Sequence, residues 1–237
     1  MSLDIRYYFE HPERFPIRGF LDGLSRTPDI LDKAKTCLPG LLALPGVAGN
    51  FGETTSGDVR LYGDYHIGAR TVIYNGVTVI GPVYIGEGCE IMPGALIRPY
   101  SIIGDGCAVG HGSELKRAVL YGGAKVASLA FVGDSVLGAS ARVGSGAVTA
   151  NRKFDQANIT LRLDGALRDL GDDYFGLVLG DSARIGANCV TQPGAHIGPY
   201  TWVLPTTSVR GFIPREKRVY AKTELTLEDG GMVELQS

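Results

Sequence analysis

The stretch IGARTVIYNGVTVIGPVYIGEGCEIMPGALIRPYSIIGDGCAVGHGSEL, residues 67–115, repeats its character every six positions. Ile67, Ile73, Val79, Ile85, Ile91, Ile97, Ile103, Val109, Leu115 and then Tyr121 share one phase, and all but the last are aliphatic. Glycine often follows, as at Gly68, Gly86, Gly104 and Gly110. Small or β-branched residues recur four positions on, among them Thr71, Val77, Cys89, Ala95, Ser101 and Cys107. Such a period belongs neither to a helix nor to an ordinary strand. It fits a coil of three short strands, one hexapeptide per side and about eighteen residues per turn. The aliphatic residues then point into a prism, and each coil hydrogen-bonds to the next at about 4.8 Å. The core is a stack of Ile and Val ladders, stable because neighbouring coils cover one another.

Outward from this stretch, the phase breaks after Tyr121 and resumes at Leu137 and Val143. It breaks again at Thr149 and returns through Leu179, Ile185, Thr191, Ile197, Val203 and Val209. The expectation is an all-β chain, a parallel β-helix over residues 57–213 interrupted by a long loop at 150–178. A loop of that length inside a compact fold is usually functional. Residues 1–56 lie outside the repeat, and Thr27-Pro28-Asp29 reads as a helix start. Ile30, Leu31, Ala34 and Leu38 line one face, which predicts a short helix over 28–38 that ends before Pro39-Gly40 and caps the first coil. In the tail, residues 214–237, Asp229-Gly230-Gly231 between two apolar runs predicts a hairpin.

A formal net charge of −2 over 237 residues calls for neither nucleic acid nor a membrane surface. No apolar run approaches the length of a transmembrane helix. Charges stand in MSLDIRYYFEHPERF where a signal peptide would carry its apolar stretch, so the expected location is the cytoplasm. Cys37, Cys89, Cys107 and Cys189 show no CxxC spacing and read as reduced thiols. The 34 glycines are accounted for by the turns of the repeat.

Arg98 and Lys116 are the clearest candidate site from spacing. Each follows the inward residue of its hexapeptide, and they are eighteen residues apart. They should stand side by side in successive coils, where two cations repel. Either they share an anion such as a phosphate, or they reach solvent or acids such as Glu114. His111 sits at the third position of its hexapeptide, near a turn, while His66 and His196 fall at sixth positions; each reads as a surface or subunit-interface residue as well as a catalytic candidate. No H-x4-H spacing occurs, so no metal site is expected.

The segments IRPYSIIGDG, ELKRAVLYGGAKVASLAFVGDSVLG, VGSGAVTANRKFDQANI and GLVLGDSARIGANCVTQPGAHIGPYTWVLP span Ile97 to Pro214. They resemble the C-terminal domain of two-domain sugar-1-phosphate nucleotidylyltransferases that are also N-acetyltransferases. The chain has no Gly-rich L-x-x-G-x-G-T-R loop, so it is not expected to make nucleotide sugars itself. The resemblance implies a left-handed β-helix and a homotrimer with active sites between adjacent prisms, over which a protruding loop can close. It also implies acetyl-CoA as acyl donor, with an amino sugar phosphate or nucleotide sugar as acceptor. It carries anion-binding roles onto Arg98 and Lys116 and a substrate-orienting role onto Asn151, which reads equally as a turn-forming Asn. The family's catalytic His falls on Ser128, its nearby Tyr on Phe131 and a further substrate position on Arg152. A small polar residue of the acyl-CoA groove falls on Ala187. Arg215 and Lys217 would meet the phosphates of coenzyme A, unless they form a solvated patch with Arg218. A serine hydroxyl is a poor base for an attacking amine. Three readings stay open: activity is lost and a sugar-phosphate-binding or partner-binding protein remains; His111, His196, Asp134 or Glu114 supplies the base; or the acceptor needs little base.

Overall fold

The computed structural model describes residues 3–54 and 58–222. Strands of two or three residues wind through three parallel sheets. Among the described residues the first sheet has nine strands, from Gly49–Asn50 to Phe212–Ile213. The second also has nine, from Glu53–Thr54 to Arg218–Val219, and the third has eight, from Arg60–Tyr62 to Ser208–Val209. The chain is a parallel β-helix, and its prism extends past 57–213 at both ends. Ile67, Ile73, Val79 and Ile85 fill the interior at 0% exposure, and their successors are buried to within 4%. Glycine follows the inward residue because the coils approach most closely there: a Cβ on Gly110 would lie 2.4 Å from the Ser128 backbone nitrogen. No helix of the described residues is long and apolar enough to cross a membrane.

The repeat does not break at Tyr121. Ile103 pairs with Leu120 and Leu120 with Leu137, so two successive coils are one residue short of eighteen. The shortening falls where the third sheet turns into the first, at Arg117 (φ 45°) and Asp134 (φ 48°). Leu120, Val126, Val132, Leu137, Val143 and Thr149 then carry the inward ladder without interruption. Tyr121, one position past the inward residue, points out of the prism and stacks on Phe9 at 4.6 Å.

That outward side of the first sheet forms a second core. Ile102, Val119, Val136 and Val178 are buried beneath Tyr8, Phe9, Phe15, Ile30, Leu31 and Leu38. Strands buried on both faces, such as Leu177–Leu179, follow from this cover. Helix α1 (Ile5–Tyr8) and helix α2 (Thr27–Leu42) lie on the flank of the sheet. The expected helix is thus present, but α2 packs beside Val119–Leu120 and Val136–Leu137 in mid-stack and does not cap the first coil. The outward aliphatics there need an apolar cover. It also runs through Pro39 to Leu42, because Leu38 and Leu42 are both buried and Ala43 N still bonds Pro39 O at 3.1 Å.

The interruption at 150–178 contains an antiparallel hairpin, Thr160–Leu163 with Ala166–Asp169. Its Leu161 and Leu163 join the second core. The predicted hairpin at Asp229-Gly230-Gly231 lies outside the described residues.

Candidate functional site

The two corners of the third sheet carry the candidate residues. At the leading corner, where the chain enters from the second sheet, successive coils stack Pro93, His111, Ser128, Ser145, Ala187 and Pro205. Leu129 N bonds His111 O (2.8 Å), Gly146 N bonds Ser128 O (3.0 Å) and Thr206 N bonds Ala187 O (2.9 Å). His111 is exposed and stands one rung before Ser128. Its Nδ1 lies 2.7 Å from Pro93 O. A carbonyl only accepts, so Nδ1 carries the hydrogen, and in the neutral ring the lone pair is on Nε2.

At the trailing corner, where the third sheet leads to the first, Arg98 and Lys116 line one cleft of about 350 Å³ with Tyr100, Arg117, Asp134 and Tyr174. Arg98 Nη1 meets Glu114 Oε1 at 2.8 Å, and Lys116 Nζ meets Asp134 Oδ2 at 3.0 Å. Lys116 Nζ also sits 4.0 Å from the Tyr174 ring centroid. Asp134 is 1% exposed and takes further hydrogen bonds from Arg117 Nε (2.6 Å) and Asn151 Nδ2. Arg117 reaches on to Asp172 at 2.6 Å and to Tyr174 O. Burial opposes the Arg117 charge, but Asp134 and Asp172 outweigh it and hold its pKa above the usual value. Burial likewise works against the Asp172 carboxylate, yet the Tyr174 N–H and Arg117 hold its pKa below the usual range.

Asn151 is not in the left-handed region, so the turn-forming reading does not apply. Arg152 Nη1 bonds the Tyr174 hydroxyl at 2.7 Å and its guanidinium faces that ring. Phe131 lies between the two corners on the outer side of the third sheet, in register with Glu114 and Val148. Ser128 and His111 are therefore at one end of a face whose other end holds Arg98, Lys116, Asn151 and Arg152.

The remaining candidates scatter. Ala187 lies in a groove at the leading corner with Arg142, Arg184 and Trp202. Arg215 and Lys217 are across the second sheet, at its corner with the first, where Arg215 is tied to Glu10 at 2.9 Å. His196 is fully buried: Nδ1 lies 2.9 Å from Gly194 O and Nε2 lies 2.9 Å from Thr27 Oγ1, which removes it as a base. Asp134 is likewise saturated with donors. Tyr174 and Asp172 were not legible as site residues, because the interruption that carries them has no repeat phase. Among the described residues no group of three His, Cys, Asp or Glu could hold a metal ion.

Residues 79–162, which include His111, Lys116, Ser128, Asp134 and Asn151, match the family model described as the GMPPB C-terminal domain. The bifunctional protein GlmU of Methanococcus vannielii is 31% identical over 119 residues, covering 50% of this chain and 28% of that protein. The bifunctional sugar-1-phosphate nucleotidylyltransferase/acetyltransferase of Sulfurisphaera tokodaii is 33% identical over 92 residues, 39% of this chain and 23% of its own. The repeat region is related to GlmU-type bifunctional proteins. The chain spans under a third of the length of these relatives. A third relative, YaiX of Escherichia coli, named as an uncharacterized acetyltransferase, is 34% identical over 152 residues, 64% of this chain and 66% of that one. The residues matched by the family model include the coils that hold the third-sheet face.

Proposed function

We propose that the protein is an acyltransferase that moves an acetyl group from acetyl-CoA to an amine on a sugar phosphate or nucleotide sugar. The acceptor lies across the outer side of the third sheet. Its phosphate end meets Arg98 and Lys116, its ring rests on Phe131, and its amine points to the leading corner. The observation that carries this reading is His111, exposed, with Nδ1 bonded to Pro93 O at 2.7 Å. It stands one rung from the serine that occupies the family's histidine position. Nε2 takes the proton as the amine nitrogen bonds the thioester carbon; the carbon–sulfur bond breaks, and that proton leaves with the thiol of coenzyme A. The donor lies along the leading-corner groove beside Ala187, and the assembly is a homotrimer whose seam closes the site.

Acetyl transfer to amino sugar phosphates tests this. His111→Ala should cut kcat by about 10²–10⁴-fold, and Lys116→Ala should chiefly raise KM. Full activity in His111→Ala would sink the assignment. A second reading, a binding protein without catalysis, is favoured by Ser128 and by the carboxylates already paired with Arg98 and Lys116. Saturable sugar phosphate binding with no turnover in wild type or Ser128→His would establish it.

A further inference from the structure

The outer side of the second sheet carries a column of cations. Lys125 stands in register with Arg142, Arg142 with Arg184, Arg184 with Trp202, and Trp202 with Arg218. Neighbouring rungs are about 4.8 Å apart. All five side chains are exposed, Trp202 at 43%. Among the described residues none of the four cations forms an ion pair, whereas Arg70, Arg98, Lys116 and Arg215 each have a carboxylate. Like charges directly opposite on adjacent strands destabilise a sheet. The column is also set in a chain of net charge −2, so it does not reflect general basicity.

Trp202 separates the column into two parts. The Arg184 and Arg218 guanidinium carbons lie 5.7 and 5.4 Å from its ring, one from each neighbouring rung. Cation–π contact on both sides steadies these two cations and keeps them apart. Nothing comparable separates Lys125, Arg142 and Arg184, which form three consecutive unpaired charges. Arg142 and Arg184 also line the groove of about 360 Å³ at the leading corner, together with Gly144, Gly186 and Trp202. Guanidinium groups there can bond phosphate oxygens bidentately.

We propose that Lys125, Arg142 and Arg184 form a diphosphate-binding site on the second sheet, separate from the Arg98–Lys116 cleft. A diphosphate spans two adjacent rungs and neutralises the repulsion between them. Its source is either a free nucleoside diphosphate or the diphosphate of a coenzyme A donor seated in the groove; only the second rests on the acyltransferase reading.

The test is titration of inorganic diphosphate into the full chain at constant ionic strength, followed by calorimetry. Arg142→Gln with Arg184→Gln should weaken binding at least about tenfold, Lys125→Gln should weaken it less, and Lys116→Ala should leave this affinity unchanged, removing at most a second, separate binding phase at the Arg98–Lys116 cleft. Removing like charges should not lower the melting temperature of these variants. Affinity unaltered in the double variant, or lost in Lys116→Ala alone, would overturn the site, as would an absence of diphosphate binding. Inorganic diphosphate carries no acyl group, so failure here leaves the acyltransferase reading standing, and inactivity with acetyl-CoA leaves this site standing. Competition by coenzyme A at a far lower concentration than by ADP identifies the donor as the source; competition by ADP as strong as that by coenzyme A identifies a free nucleotide.

Discussion

His196 shows how a side chain that looks catalytic in composition becomes structural in place. Its ring stacks on Phe175 (centroids 5.6 Å, 7° between planes) and its two nitrogens bond Gly194 and Thr27. Burial lowers its pKa to about 4. The unfolded chain takes up this proton near the ordinary histidine value, while the folded one does so only near 4. The unfolded state therefore binds more protons in that window, and stability falls as pH falls through it. The contribution is fully present above the unfolded value. Between about pH 7 and pH 5 the loss from this residue should be about 2 kcal/mol. Denaturant unfolding at the two pH values checks it, and His196→Gln should flatten the difference. An equal pH slope in that variant would assign the effect elsewhere. His111, by contrast, keeps one nitrogen free because its single bond is to a carbonyl of the coil beneath.

Helix α2 is the element on which the flank of the first sheet depends. Its buried residues Ile30, Leu31, Ala34, Leu38 and Leu42 recur at helical spacing. Pro28 opens it within the first turn, where its missing N–H costs no helical bond. Pro39 should have ended it, and that sequence rule fails for a tertiary reason. The bond lost by Pro39 is to a carbonyl on the solvent side, at exposed Lys35, while Leu42 gains burial against the second core. Leu38→Ala should cost about 2–5 kcal/mol, since Leu38 is 0% exposed and its loss leaves a cavity. The denaturation midpoint measures it. A cost within about 0.5 kcal/mol, as for a surface site, would mean that the helix merely rests on the sheet.

The three sides of the prism differ in what covers them. The first sheet is covered by the chain's own helix and hairpin, the second carries cations, and the third presents Leu96, Phe131, Val148 and Val190 in one outward strip interrupted by Glu114. Val148 and Val190 are each 38% exposed, and Leu129 at the leading corner is 66% exposed. Burying the Val148 and Val190 end of that strip in a closed three-fold assembly would leave no copy with an unpaired face there, while the Phe131 end stays open to the acceptor. Light scattering should give three times the chain mass, and Val148→Glu with Val190→Glu should yield monomers; a wild-type monomer at micromolar concentration would refute the assembly. Most of the inward ladder was legible without coordinates, because alternation of buried and exposed positions is local and a hexapeptide phase can be counted; between Leu115 and Leu137 the two short coils shifted the phase by one and hid it. The N-terminal helix was legible for the same reason. Arg98 and Lys116 could be set in neighbouring coils by their spacing, but their carboxylate partners could not be chosen. Asp134 meets Lys116 at the corner that is one residue short, and Arg117 draws Asp172 from within the interruption. The cation column was hidden likewise, since 42 residues separate Arg142 from Arg184 in the chain but one rung separates them in space. Periodicity determined by itself that the chain winds into a prism and which residues face inward as far as Leu115 and again from Leu137, but not at Leu120, Val126 and Val132. Only the tertiary structure decided which outward residues meet, because insertions and single-residue slips between coils change register without changing the local pattern.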